Sequence, residues 1–206
     1  TIHVVPESRN LPTEFTESRF PFIVEKLKLA PDSGGAGQFR GGLGYEKHLR
    51  MLKDAHFMSI ADRSILACWG VKGGKAGLPF SVTINPGQPD ERHVDALADA
   101  EFVKAGEVIR ICTTGGGGWG DPLDRDPEMV VRDITWDKVT PKAALADYGV
   151  ILTGSMETDD LGYDAAATEA ERARIRAERP EEPFFDRGPG YARLSGGQFS
   201  AEVDWL

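Results

Sequence analysis

The chain has 206 residues and a mass of 22.4 kDa, enough to bury the core of one domain with at most a small appendage. Its 33 acidic and 24 basic residues give a formal net charge of −9, which disfavours a nucleic-acid phosphate backbone as partner and suits a protein that handles small molecules or other proteins. No apolar run approaches the roughly 18 to 20 residues of a membrane span, and no signal-peptide pattern is present. We therefore expect a soluble, cytoplasmic protein.

Cysteines and histidines give no sign of a metal site formed by this chain alone. Cys68 and Cys112 belong to no CxxC motif, so we expect free thiols in a reducing compartment. The histidines lack the HxH and HxxxH spacings of metal ligands. They are His3, His48, His56 and His93.

The first half of the chain predicts an antiparallel β structure. Residues 1–21 carry prolines at 6, 12 and 21 and no clear period, which predicts an extended arm. Short apolar-polar alternations separated by Gly, Pro, Asn and Asp then indicate strands. These strands are predicted at 22–30, 44–52, 56–62, 79–85, 101–106 and 107–114. The fold class expected is α+β, mainly an antiparallel sandwich or barrel, followed by short helices.

Two short helices follow, each with a start signal. Asp126 precedes Pro127, and Thr140 precedes Pro141, an N-cap followed by proline at the first helical position; Gly149 ends the second helix. Residues 153–164 are polar and predict a linker. The segment 165–179 is rich in helix formers but has only one large apolar residue, which predicts a helix that is solvated or lies on a partner.

The C-terminal end is rich in both glycine and aromatic residues. A disordered tail would not usually hold so many aromatics, so we expect it to wrap over another surface. The aromatics are Phe184, Phe185, Tyr191, Phe199 and Trp205. The resulting organisation is an extended arm at 1–21, a β-rich domain with two short helices at 22–152, and a linker, helix and wrapping tail at 153–206.

Three glycine-rich stretches raise the question of phosphate binding. Residues 113–122 formally contain GxGxxG, but Asp121 and Pro122 follow where a dinucleotide site requires a helix and a second parallel strand. Residues 69–77 place Trp69 and Ala76 where a Walker A loop needs Gly and Ser or Thr. What the glycines permit is close approach of the backbone to another backbone or to a ligand, and both alternatives stay open.

The candidate binding residues are two arginines and one glycine loop. Arg40 and the amides around it either bind an anion or decorate a β connection. Asp62 and Arg63 follow a predicted strand, where they form a buried ion pair or a substrate clamp. The glycine loop comprises Gly115, Gly116, Gly117 and Gly118. No Ser-His-Asp order and no GxSxG motif is present, so the catalytic residues are unassigned and the chain shows no catalytic constellation of its own.

Several blocks, taken together, resemble the C-terminal part of the hydantoinase B/oxoprolinase family. They are FPFIVEKLKLAPDSGGAGQFRGGLGYEK, ADRS with WGVKGGKAG, GGGGWGDPLDRDPEMVVRDITWDKVTPKAALADYGVIL, and the ending FFDRGPGYARLSGG with AEVDWL. The first three occur in the family's order across residues 20–152, whereas the ending matches only some members.

The resemblance implies part of a B-type subunit that works with a hydantoinase A-type ATP-binding subunit. Such complexes open cyclic amides such as hydantoins and 5-oxoproline in an ATP-dependent reaction, or carboxylate ketones such as acetone and acetophenone. The resemblance implies that the partner binds ATP and Mg, that the N-terminal part of the B-type subunit lies outside this chain and holds any divalent metal, and that this chain binds none by itself. A noncatalytic assembly module of such a complex is the alternative role.

Overall fold

The computed structural model describes residues 11–180 and 184–196. Its helices are α1 (Thr13–Arg19), α2 (Pro127–Thr135), α3 (Pro141–Tyr148), α4 (Ala165–Glu178) and α5 (Gly188–Ser195), with a 3-10 turn at Pro122–Asp124. Its strands are β1 (Phe22–Leu29), β2 (Tyr45–Met51), β3 (Ala55–Ile60), β4 (Gly70–Val71), β5 (Ser81–Ile84), β6 (Arg92–Val94), β7 (Leu97–Val103), β8 (Val108–Cys112), β9 (Leu152–Thr153), β10 (Gly162–Tyr163) and β11 (Phe185–Asp186).

Five strands form one antiparallel sheet in the order β1-β2-β8-β5-β6. β8 is inserted between β2 and β5, so the sheet is held together by contacts between distant segments. The ribbon β3-β7 lies over one face of this sheet, because side chains of both pack into a single apolar cluster. That cluster includes Leu49, Met51, Val82, Ile84, Val103 and Ile109. The predicted α+β class with mainly antiparallel strands is confirmed, and the strands of the described segments do not close into a barrel.

The helices after the sheet begin and end where their caps predict. Asp126 accepts a hydrogen bond from Glu128 N at the start of α2, and Thr140 accepts one from Ala143 N at the start of α3. Gly149 ends α3 in the left-handed conformation, with φ 61°. α2 and α3 form a second apolar cluster with Val150, and this cluster also contains Ala36 from the glycine-rich connection between β1 and β2.

Two local predictions are wrong. Thr13–Arg19 is a helix rather than part of an extended arm, because Pro12 stands at the N-cap, where its missing N–H costs nothing. The predicted linker at 153–164 begins and ends in the short hairpin β9-β10, in which Tyr163 pairs with Leu152. The part of the predicted arm at 1–10 lies outside the described residues.

The aromatic tail packs on its own chain in the described range 184–196. β11 pairs with β4, and Lys72 N donates to Phe184 O at 2.7 Å. Phe185 packs edge-on against Trp69, with ring centroids 5.8 Å apart. The surface that this part of the tail covers is therefore the glycine-rich body; Phe199 and Trp205 lie outside the described residues.

The connection between β5 and β8 is tied by a carboxylate whose ionisation should make stability depend on pH. Glu107 accepts from two Arg92 nitrogens, at 2.7 and 3.1 Å, and from Asn85 Nδ2 at 3.0 Å. The Arg92 hydrogen bonds outweigh partial burial and lower the pKa of Glu107 from 4.5 to about 2.

Because the folded-state pKa is the lower one, this stabilisation is complete above about pH 4.5 and is lost as the pH falls towards 2. We expect Glu107→Gln to reduce the free energy of unfolding by about 2 kcal/mol at pH 7 and by much less near pH 2. Urea unfolding at both pH values measures this difference. An equal loss at both would contradict the assignment.

Candidate functional site

Three glycine-rich segments pack against one another and join the sheet to the helices. They are residues 33–44, 68–78 and 113–120, and we call them the glycine framework. Their backbones exchange hydrogen bonds directly: Gly35 N donates to Gly116 O at 2.8 Å, Gly118 N to Lys75 O at 2.9 Å and Lys75 N to Ala36 O at 2.7 Å. The three segments of backbone run closer together than side chains between them would allow.

The absence of Cβ atoms is a geometric requirement in this framework. A Cβ on Gly117 would lie 1.7 Å from Trp69 O, and one on Gly35 would lie 1.9 Å from Lys75 O. Both contacts are far inside van der Waals distance and involve backbone rather than a mobile side chain. Of the two sequence alternatives, close approach to another backbone is therefore what the structure shows for these glycines.

The loop 115–118 does not present the free backbone amides that the phosphates of a nucleotide require. A phosphate cradle presents unpaired backbone amides to the ligand. In the loop 115–118, Gly115 N donates to Leu78 O, Gly116 N to Gly42 O and Gly118 N to Lys75 O. These three amides are already used inside the protein, so they are not available to a phosphate. An anion-binding role for Gly115, Gly116, Gly117 and Gly118 stays a prediction that these contacts do not favour.

Arg40 lies in an internal ion pair. Its Nε is 3.1 Å from Asp133 Oδ2, and the same oxygen is 2.8 Å from a terminal nitrogen of Arg125. The side chains of Arg40 and Asp133 are only 12% and 3% exposed. Arg40 also donates to Gly41 O, and Arg125 to Gln38 O, so the cluster fastens the glycine framework to α2. Anion binding by Arg40 stays a prediction; its observed partner is Asp133.

Arg63 lies on an open groove. The prediction of a buried ion pair with Asp62 is wrong, because both residues are exposed and no ion pair joins them. Arg63 has a left-handed backbone, φ 64°. The groove has a volume of about 840 Å³ and is lined by apolar side chains and by charged ones from three segments. The charged or titratable lining residues are Asp62, Arg63, His93, Asp95 and Arg193. The structure thus places Arg63 and Arg40 in different surroundings rather than in one site.

The sequence analysis did not predict one arrangement of polar residues on the sheet. Arg110 on β8 stands beside Thr83 on β5 and His48 on β2, on the face of the sheet away from the core. Alternation within each strand places the polar residues on one face, but only the insertion of β8 between β2 and β5 brings them side by side.

Several other features bear on chemistry. Cys68 and Cys112 are free thiols, as predicted, and burial raises the pKa of Cys112 despite the opposing effect of Arg110. Across residues 11–180 and 184–196, no group of three or more His, Cys, Asp or Glu side chains is close enough to hold a metal ion. None of the helices in those ranges has the length and apolar character needed to cross a bilayer.

Comparison with known proteins gives a consistent set of relatives. The chain is 33% identical to the B-type subunit of a putative D-/L-hydantoinase of Pseudomonas sp. strain NS671, over 74% of this chain and 26% of that protein. It is 34% identical to the caprolactamase beta subunit of Pseudomonas jessenii, over 78% and 27%. The structure of an acetone carboxylase in its nucleotide-free state superposes with a TM-score of 0.70 and 25% identity, covering 85% of this chain and 28% of that one.

These similarities define a class of enzyme subunits or domains much larger than this chain. The model of the hydantoinase B/oxoprolinase family matches residues 1–122, and the chain belongs to that family. It spans about 26 to 28% of the length of these relatives. The resemblance seen in the sequence is thereby confirmed.

Proposed function

We propose that this chain forms the C-terminal part of the B-type subunit of an ATP-dependent cyclic amide hydrolase of the hydantoinase or 5-oxoprolinase type. The observation that carries the proposal is the similarity to the hydantoinase and caprolactamase subunits over about three quarters of the chain. The partners proposed are an A-type subunit, which holds ATP and Mg, and the remaining N-terminal part of the B-type subunit, which holds any divalent metal.

The role proposed for this chain is to support the active site of the assembled complex and to form part of its lining. The glycine framework is a rigid support, because backbone hydrogen bonds cross it in several directions. The open groove on which Arg63 lies, which we call the Arg63 groove, is a concave surface. It combines an apolar lining with exposed charge, which suits a small polar substrate. The chain is proposed not to be catalytic alone.

A ketone carboxylase subunit is the second candidate. It is favoured by the superposition on the acetone carboxylase, which extends over 85% of this chain. The two candidates differ in the substrates that stimulate ATP hydrolysis by the complex. We expect hydantoin, 5-oxoproline or ε-caprolactam to stimulate it, and acetone with bicarbonate to have no effect; the reverse result would select the carboxylase.

The assembly in which the chain works can be tested directly. A tag on this chain should co-purify an A-type subunit and the remainder of a B-type subunit, each identified by mass spectrometry. If the chain purifies alone and monomeric from its natural source, the proposed function is wrong.

A noncatalytic assembly module is the alternative role, in which the arm and tail hold the other subunits together. A chain ending at Leu152 tests it. If this truncated chain folds but no longer joins the complex, the C-terminal segment is the assembly element. The packing of β11 on β4 favours a different result: residues 184–196 cover their own chain, so their loss should first expose Trp69.

Arg63 is predicted to contribute to turnover. Its exposed guanidinium lies on the groove and pairs with no carboxylate of the described residues, so it is free to bind an anionic group. We expect Arg63→Ala in the assembled complex to reduce kcat/KM about ten-fold or more, with unchanged complex formation. Lys53→Ala, which removes another exposed cation, is the control. Equal turnover in both variants would remove Arg63 from the site.

A further inference from the structure

A row of polar side chains crosses the outer face of the five-stranded sheet. Cross-strand pairing aligns one residue from each strand, and directly paired residues share a face. The residues are Lys26, His48, Arg110, Thr83 and His93, which we call the Arg110 row. The neighbouring row points to the core and is apolar: Val24, Leu49, Ile109 and Ile84. With strands about 4.8 Å apart, the Arg110 row is about 19 Å long.

At the end of the row formed by β1 and β2, a carboxylate lies beside the basic side chains. Glu46 Oε1 is 3.0 Å from Lys26 Nζ and 2.5 Å from His48 Nε2. Partial burial opposes the ionisation of Glu46, but the hydrogen bonds from Lys26 and His48 outweigh it and hold its pKa below the usual value. This carboxylate therefore supplies the counter-charge for that end.

Arg110 has no such counter-charge. One terminal nitrogen donates to Thr83 Oγ1 at 3.2 Å, and Nε is buried without a hydrogen-bond partner. Thr83 is fully buried, and its hydroxyl lies 3.3 Å from His93 Nδ1. Within the described ranges, Arg110 forms no ion pair with a carboxylate. A partly buried guanidinium lacking both a counter-ion and part of its hydrogen bonds is energetically unfavourable.

Three other buried or partly buried arginines of this protein each have a carboxylate partner. Arg40 and Arg125 bind Asp133, and Arg92 binds Glu107. Among the described residues, Arg110 lacks the carboxylate that these three arginines have, so the component that it is missing is an oxyanion.

We propose that Arg110 anchors a binding site for the carboxylate or phosphate group of a small molecule, with Thr83 and His93 beside it. A guanidinium presents parallel N–H donors that match either group, and the hydroxyl rotates to donate as needed. The site is reachable, because His93 is exposed and lines the Arg63 groove together with Ser81. The proposal does not depend on which reaction the assembled complex performs.

The test is calorimetric titration of the full chain with inorganic phosphate and, separately, with succinate, at constant ionic strength and with chloride as reference. We expect at least one of them to bind more tightly than chloride, and the preferred one identifies the chemical group. Arg110→Gln should weaken that binding about ten-fold or more, and Arg110→Lys by less. Lys47→Gln removes a cation from β2 on the opposite face and should leave binding unchanged.

The proposal is overturned if neither anion binds more tightly than chloride, or if Arg110→Gln binds as the unmodified chain does. If Arg110→Gln does not fold, His93→Gln replaces it, since His93 is exposed and its loss should preserve the fold. A binding constant unchanged in both His93→Gln and Arg110→Lys would also refute the site.

Discussion

Replacement of Gly117 by alanine is expected to destabilise the protein by about 4 kcal/mol or more, the upper end of single-substitution effects. The added Cβ would lie 1.7 Å from Trp69 O, 2.3 Å from its carbonyl carbon and 3.0 Å from Gly70 N. All three are backbone atoms of the glycine framework, so no side chain can turn aside. Separation of the two segments would break the hydrogen bonds that neighbouring residues make, such as that from Val71 N to Gly118 O at 3.0 Å.

Two other glycines of the framework provide matched controls. A Cβ on Gly42 would meet nothing within 4 Å, so Gly42→Ala should change the free energy of unfolding by less than about 1 kcal/mol. A Cβ on Gly116 would lie 3.2 Å from Gly42 N, a contact that a small shift relieves, so Gly116→Ala should fall in between.

Guanidinium unfolding followed by tryptophan fluorescence gives the three values, and circular dichroism shows whether Gly117→Ala folds. The order of destabilisation should be Gly117, then Gly116, then Gly42. If Gly117→Ala unfolds at the same denaturant concentration as Gly42→Ala, the close backbone packing of the framework is wrong.

Local features of the structure could be predicted from the sequence, because local forces produce them. The alternation in β1 and β2, and the pairs Asp126-Pro127 and Thr140-Pro141, identify elements whose causes lie within a few residues. The freedom of the glycines to approach another backbone could be foreseen for the same reason. Helix α1 was missed because Pro12 breaks a helix in its interior but is tolerated at its start.

The site could not be predicted to the same extent, because its contacts are non-local. Arg40 and Asp133 are 93 residues apart, and no local pattern indicates that they pair. Arg110 joins its row only because β8 is inserted between β2 and β5. A sequence shows which residues can bind an anion, whereas tertiary structure decides which of them already have a partner.

Asp133 is the second residue whose replacement should have a large effect. Its carboxylate is the ion-pair partner of both Arg40 and Arg125, and its side chain is 3% exposed. Removal of the charge in Asp133→Asn leaves two guanidinium groups close together in a poorly hydrated region, where an uncompensated charge costs about 3 to 5 kcal/mol. We expect a loss of stability in that range.

The control for Asp133 is an exposed carboxylate four residues further along the chain, just after the C-terminal end of α2. Asp137 pairs with Lys28 at 3.5 Å, and its side chain is 74% exposed, so Asp137→Asn should change the free energy of unfolding by less than about 1 kcal/mol. Urea unfolding of both variants at pH 7 measures the contrast. If Asp133→Asn is no less stable than Asp137→Asn, the cluster does not fasten the glycine framework to α2, and Arg40 becomes available again as an anion-binding residue. A large loss confined to Asp133→Asn would instead assign Arg40 to the internal support of the fold, leaving Arg63 and Arg110 as the arginines to test for ligand binding.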